Sequence, residues 1–117
     1  SQVYVPTDRL QARAGEPSPL LPCSEYPPDS QFVVTVADAG GGTYAPRDTY
    51  LLCVDPAAWG HRVLPVGRLV IVAVERDGLS QVVLGEVAGP SFLRFFDTKK
   101  PVIGTIVGIP IRRYLPI

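Results

Sequence analysis

The chain has 117 residues, 46% of them apolar and 19% charged, which is enough for one domain with a packed core and too apolar for wholesale disorder. Its 11 basic and 11 acidic side chains cancel, so no overall field draws in nucleic acid or anionic lipid, and a free-standing DNA-binding domain is disfavoured. The neutrality hides a pole: residues 1–89 carry 6 basic and 10 acidic side chains, residues 90–117 carry 5 and 1.

Thirteen prolines and eleven glycines are spread along the chain and interrupt every stretch before a helix could reach three turns. The segments between them are short and β-branched, which predicts an all-β (mainly β) fold. Residues 1–30 form an extended first region. Gln2-Val3-Tyr4-Val5 predicts an edge strand, and five prolines between Pro17 and Pro28 keep that stretch out of a ladder interior and lay it across the surface of the remaining chain. Residues 31–117 form the β domain proper. Phe32, Val34 and Val36 alternate with Val33, Thr35 and Ala37, a strand period with a bulky side. The triglycine Gly40-Gly41-Gly42 marks a flexible turn.

Thr49 to Asp55 predicts the next strand, stopped by Pro56, and Ala57 to His61 a loop or single helical turn. Val63 to Val66 predicts a short strand closed by Gly67, and Leu69 to Glu75 a near-continuous apolar strand suited to a sheet centre or barrel interior. Asp77-Gly78 signals a hairpin from which Ser80 to Val87 returns. Phe92 to Phe96 comes next, with three of the four phenylalanines. Val102 to Ile109 is expected as the last strand, stopped by Pro110. Seven or eight strands joined by short turns predict a small, strongly bent, barrel-like sheet.

Chemistry-bearing motifs are scarce. Cys53, within Leu51-Leu52-Cys53-Val54, reads as a small core hydrophobe, and with Cys23 it makes no disulfide framework. One histidine, His61, and no Cys-x-x-Cys exclude a structural zinc site, and no metal or cofactor motif is present. No serine lies in Gly-x-Ser-x-Gly. Lys99 and Lys100 are tandem, charged and at a turn, unsuited to act as a base. The triglycine lacks the Gly-Lys-Ser/Thr of a phosphate loop. The longest aliphatic run, Leu69–Val74, has six residues, so nothing spans a membrane and nothing resembles a signal peptide; the chain reads as cytoplasmic, with no membrane partner. It begins at Ser1 and contains no Met, and it reads as part of a longer protein.

Three stretches taken together resemble the C-terminal domain of the LexA and phage-repressor family, which includes the UmuD-like proteins. Ala12-Arg13-Ala14-Gly15-Glu16-Pro17 is similar to the family's cleavage loop, with Ala14-Gly15 at the bond that is cut. Val36-Ala37-Asp38-Ala39-Gly40-Gly41-Gly42-Thr43-Tyr44-Ala45-Pro46-Arg47-Asp48, leading into Thr49 to Asp55, resembles the family's Gly-Asp-Ser-Met segment and its next strand. It places Ala39 on the nucleophilic serine, and Asp38, Gly40 and Thr43 along the cleft. Gly78 to Val87 with Pro101 to Ile109 resembles the hairpin and closing strand, and Leu84 falls where the family has its catalytic lysine.

The resemblance implies a LexA-like fold and a Ser-Lys peptidase ancestry with both dyad positions, Ala39 and Leu84, degenerate. No catalytic residue remains. The function it implies is that of a non-cleaving C-terminal dimerisation and regulatory domain of a bacterial or phage-type transcriptional repressor, of the kind that answers DNA damage in an SOS-like response. Operator DNA would be bound by a helix-turn-helix domain outside these residues. The expected partner is a second copy, in a homodimer or higher homo-oligomer paired through Phe92, Phe95, Phe96, Val102 and Ile106. A protein antagonist, or antirepressor, would act at the former cleft. Two other readings stay open: an active self-cleaving repressor domain carrying a serine-to-alanine change at position 39, and a non-enzymatic β interaction module.

Overall fold

Glycine, proline and the period-two apolar pattern set most of the architecture. The computed structural model describes residues 3–4, 23–36, 42–60, 63–90 and 92–115. Among these lie strands β1 (Val3–Tyr4), β2 (Gln31–Val36), β3 (Tyr50–Val54), β4 (Leu69–Arg76), β5 (Leu79–Gly89), β6 (Phe92–Phe95), β7 (Pro101–Val102) and β8 (Thr105–Tyr114). One four-residue helix, α1 (Pro56–Trp59), starts on Pro56 and stops at Gly60, whose φ is +81°, a conformation that favours glycine. The fold is mainly β, as the sequence implies.

All eight strands pair antiparallel in the order β1-β2-β3-β8-β4-β5-β6-β7. The Asp77-Gly78 turn joins β4 to β5 with φ of +52° and +77°, the two left-handed residues of a type I′ hairpin. β4, the near-continuous apolar strand, lies between β8 and β5 and buries both faces. The sheet bends because β8 serves two partners. Its first half pairs with β4 (Ile71↔Gly108), its second with β3 (Val54↔Ile109), and each ladder carries a register shift, at Ile71/Val72 and Leu52/Cys53. Such bulges add local twist. The bend is strong, but β1 and β7 do not pair, so the sheet is open and the expected barrel is not closed.

Two sequence expectations need correction. Residues 63–66 are not a strand: Pro65 supplies no donor, Gly67 has φ +90°, and the segment runs irregularly into a turn. Pro110 does not stop the last strand, which continues to Tyr114. Pro110 faces Cys53 beside the register shift, where the ladder is already interrupted and a missing N–H costs little.

Folding over brings β2 and β3 against β4 and β5. Between them Phe32, Val34, Val36, Ala45, Leu51, Cys53, Ile71 and Leu84 form the inner core. Each fully buried Leu or Ile there contributes roughly 2 kcal/mol. Two outer clusters back it. On the β2–β3–β8 side, Val33 and Leu52 pack against Cys23, Tyr26 and Ile111, so residues 23–30 cover that face. Buried Gln31 fixes this covering segment: its Oε1 accepts from Cys23 N at 2.7 Å, and its Nε2 donates to Cys23 O at 2.8 Å and Tyr26 O at 3.1 Å. On the other side Val70, Val72, Val83, Val87 and Val102 form a second cluster, with Leu64, Leu93 and Ile106 half-buried at its edge.

Candidate functional site

β2 leads into the stretch that the resemblance likens to a cleft. It ends at Val36, which is fully buried. The returning segment is tied back to it: Asp48 N donates to Val36 O at 2.9 Å and Val36 N to Thr49 O at 2.9 Å. Thr49 N donates to Pro46 O, closing a four-residue turn with Asp48 at φ +73°, a type II geometry that usually prefers glycine at that place. Thr49 is itself buried and its hydroxyl has no hydrogen-bond partner, an uncompensated polar group beside the end of β2.

Ala14, Gly15, Asp38, Ala39 and Gly40 lie outside the described residues, as does His61. Thr43 is exposed in the turn after Gly42. Leu84, in the middle of β5, is completely buried in the same inner cluster as Val36. Strand alternation aims it there with Val82, among the aliphatic and aromatic side chains of that cluster. Position 84 thus faces the end of β2 across an apolar core.

A polar group two residues along the same face was not anticipated. Glu86 is 5% exposed and accepts from Arg94 Nε at 2.7 Å and from Lys99 Nζ. β6 sets Arg94 directly opposite Glu86, and the β6–β7 turn presents Lys99 with φ +60°. Burial pushes the Glu86 carboxyl up, but hydrogen bonds and charge from Lys99 and Arg94 outweigh it and hold the group below its ordinary value. The Lys99 ammonium also lies 4.8 Å from the centre of the Phe96 ring. Phe96 contacts Tyr44 at 6.1 Å, and the Arg113 guanidinium sits 4.4 Å over Tyr44 while donating to its carbonyl at 2.6 Å. The one sequence signal for this rim was a lone carboxylate in the apolar stretch 82–88, which needs a counter-ion if buried.

The structure divides the five residues expected at a pairing surface. Phe92 is exposed, and Phe95, Val102 and Ile106 belong to the outer cluster. Phe96 alternates to the other face and packs on the inner core beside Tyr44, so it is separated from the rest. Around Phe92 lies an open apolar groove of about 680 Å³ between β6, the start of β8 and the 63–64 segment.

Both cysteines are free and buried, and burial pushes the Cys53 thiol far up. Among the described residues no group of His, Cys, Asp and Glu could hold a metal ion, and no helix is long and apolar enough to cross a membrane. Comparison with protein-family models, with curated proteins and with solved structures finds no match to the chain.

Proposed function

We propose that the chain is the C-terminal regulatory domain of a bacterial or phage-type transcriptional repressor, related to the LexA and phage-repressor family, that retains a self-cleaving peptidase's architecture without its reaction. The observation that carries this reading is Leu84. At the position where the resemblance puts a lysine, a fully buried leucine completes the apolar core opposite the end of β2. A serine hydroxyl needs an adjacent base to become a nucleophile, and an aliphatic side chain cannot accept its proton. The lysine at the rim is no substitute, because Lys99 is half-exposed and donates to Glu86.

A domain of this kind acts in the cytoplasm by association. Two copies pair and present two helix-turn-helix domains, carried outside these residues, to a palindromic operator; tethering raises the effective concentration of the second contact, so pairing sets occupancy. Release without self-cleavage falls to a protein antagonist. Because position 84 is enclosed, such a partner meets the rim formed by Tyr44, Phe96 and Lys99 rather than the old dyad position itself.

The test is incubation of the natural full-length protein at mildly alkaline pH, with and without an activated DNA-damage coprotease filament, read by intact mass. An undivided chain in both conditions is expected. Two fragments meeting at Ala14-Gly15 would overturn the reading and restore an active self-cleaving repressor.

A further inference from the structure

We propose that the rim made by Arg113, Tyr44, Phe96 and Lys99 is the landing site of an acidic protein segment, one that brings two carboxylates with an apolar side chain between them. This rests on the reading of the domain as one released by a protein antagonist, and it gives that partner's chemistry. Three contacts in series build the rim. The Arg113 guanidinium lies 4.4 Å from the centre of the Tyr44 ring, the Tyr44 and Phe96 rings are 6.1 Å apart, and the Lys99 ammonium is 4.8 Å from the centre of Phe96. The two cations are therefore at most about 15 Å apart, a distance that about four residues of extended chain can span. Each is held in place and still has donors to give. Arg113 Nη1 donates to the Tyr44 carbonyl at 2.6 Å, which leaves most of its fork unused, and it pairs with no carboxylate among the described residues. Lys99 gives one proton to Glu86, yet its side chain is 53% exposed.

Charge and shape together select the occupant. Glu86 is shared between Lys99 and Arg94, so one buried carboxylate stands against two cations, and Arg113 adds a third. The turn after Tyr44 contributes exposed Arg47 and Asp48, whose charges cancel. The rim is thus basic on a chain that is neutral as a whole. A small inorganic anion would satisfy the cations and leave the rings bare. A single-stranded nucleic acid wants a continuous basic track and open ring faces, whereas Tyr44 already has the Arg113 guanidinium stacked on it. A peptide with two carboxylates meets both needs. Its oxygens accept from the guanidinium fork and the ammonium, and an aliphatic side chain between them packs on the exposed parts of Tyr44 and Phe96. Because Arg113 and Lys99 are exposed, the contact should weaken with salt.

Amide NMR of the isotope-labelled chain, titrated with the capped pentapeptide Glu-Gly-Leu-Gly-Glu, tests this. Saturable shifts confined to residues 43–45, 95–100 and 112–114 are expected. Replacing one Glu of the peptide by Gln, or making Arg113→Gln in the protein, should each weaken binding about three- to fivefold. Leu79→Glu lowers the net charge by the same amount at the exposed tip of the β4–β5 hairpin and should leave binding unchanged. The change within the peptide leaves the protein untouched, so lost folding cannot imitate that effect. A Gln-containing peptide that binds as tightly as the parent, shifts that fall elsewhere, or no shifts at all would overturn the site. Tighter binding of a short oligothymidylate at the same amides would make the rim a nucleic-acid face and overturn the acidic-segment assignment. The cleavage assay separates the two levels: fragments meeting at Ala14-Gly15 with the peptide still bound would remove the antagonist's role and leave the binding site standing.

Discussion

Leu84 is a fully buried member of the inner core, at the position where the proposed ancestry has a lysine. It packs in the inner apolar cluster, and the Glu86 ion pairs lie two residues further along the strand. A lysine at this position would be enclosed in the core. Leu84→Lys inserts an amine with no partner, and its cost is set by burial of an uncompensated charge, about 3–5 kcal/mol. Urea denaturation should show that loss, and intact mass should show no cleavage even when the variant is combined with Ala39→Ser. Residue identity alone shows that the sequence has alanine at 39 and leucine at 84. The enclosure of position 84 was not visible, because it depends on β2 folding across β5, a contact between segments some fifty residues apart.

At the scale of elements, the strands were legible where alternation and turn chemistry agree, as in Phe32/Val34/Val36 and the Asp77-Gly78 hairpin. They were misread where a proline or a valine-rich stretch was taken by itself. Val63 and Val66 resemble a strand but serve as an exposed connection, and Pro110 sits inside β8 because the ladder changes partner there. That change of partner depends on Gly108, where a Cβ would lie 2.5 Å from Phe32 Cζ. Phe32 is locked in the core and cannot yield, so Gly108→Ala should cost about 1–3 kcal/mol, measured as a lower urea midpoint with an unchanged slope.

The β5–β6 pair carries the pH response. Glu86 is held below its ordinary value of 4.5 by Lys99 and Arg94 against the opposing effect of burial. A carboxyl depressed in the folded state contributes its full stability above that ordinary value and loses it as pH falls through the folded one. Glu86→Gln should therefore be less stable than wild type at pH 7, by about 1 kcal/mol once solvent screening at Arg94 and Lys99 is allowed for. The gap should close progressively below pH 4.5. Parallel urea titrations of the two proteins at neutral and acid pH check both the size and the sign.

Across the whole molecule, one inner core and two outer clusters share the strands of a single sheet, so no part can open without its neighbours. Cys23 and Cys53 report this from opposite sides of β2 and β3: one lies under the segment clamped by Gln31, the other in the inner core. Both thiols should be silent to an aromatic disulfide reagent in the native state. They should react together, at a rate that tracks global unfolding. Reaction of Cys23 alone would show that the covering segment lifts separately.

The strand order has a further consequence for synthesis. β8 comes last in chain order among the described strands, yet it lies between β3 and β4. A nascent chain emerging from the ribosome holds a β2–β3 hairpin and a β4–β5–β6–β7 meander with no strand to join them. Their apolar faces stay unmatched until residues 105–114 have been made. Joining the two halves of the sheet thus waits on β8, a long-range pairing of the kind that forms late and leaves apolar faces exposed meanwhile.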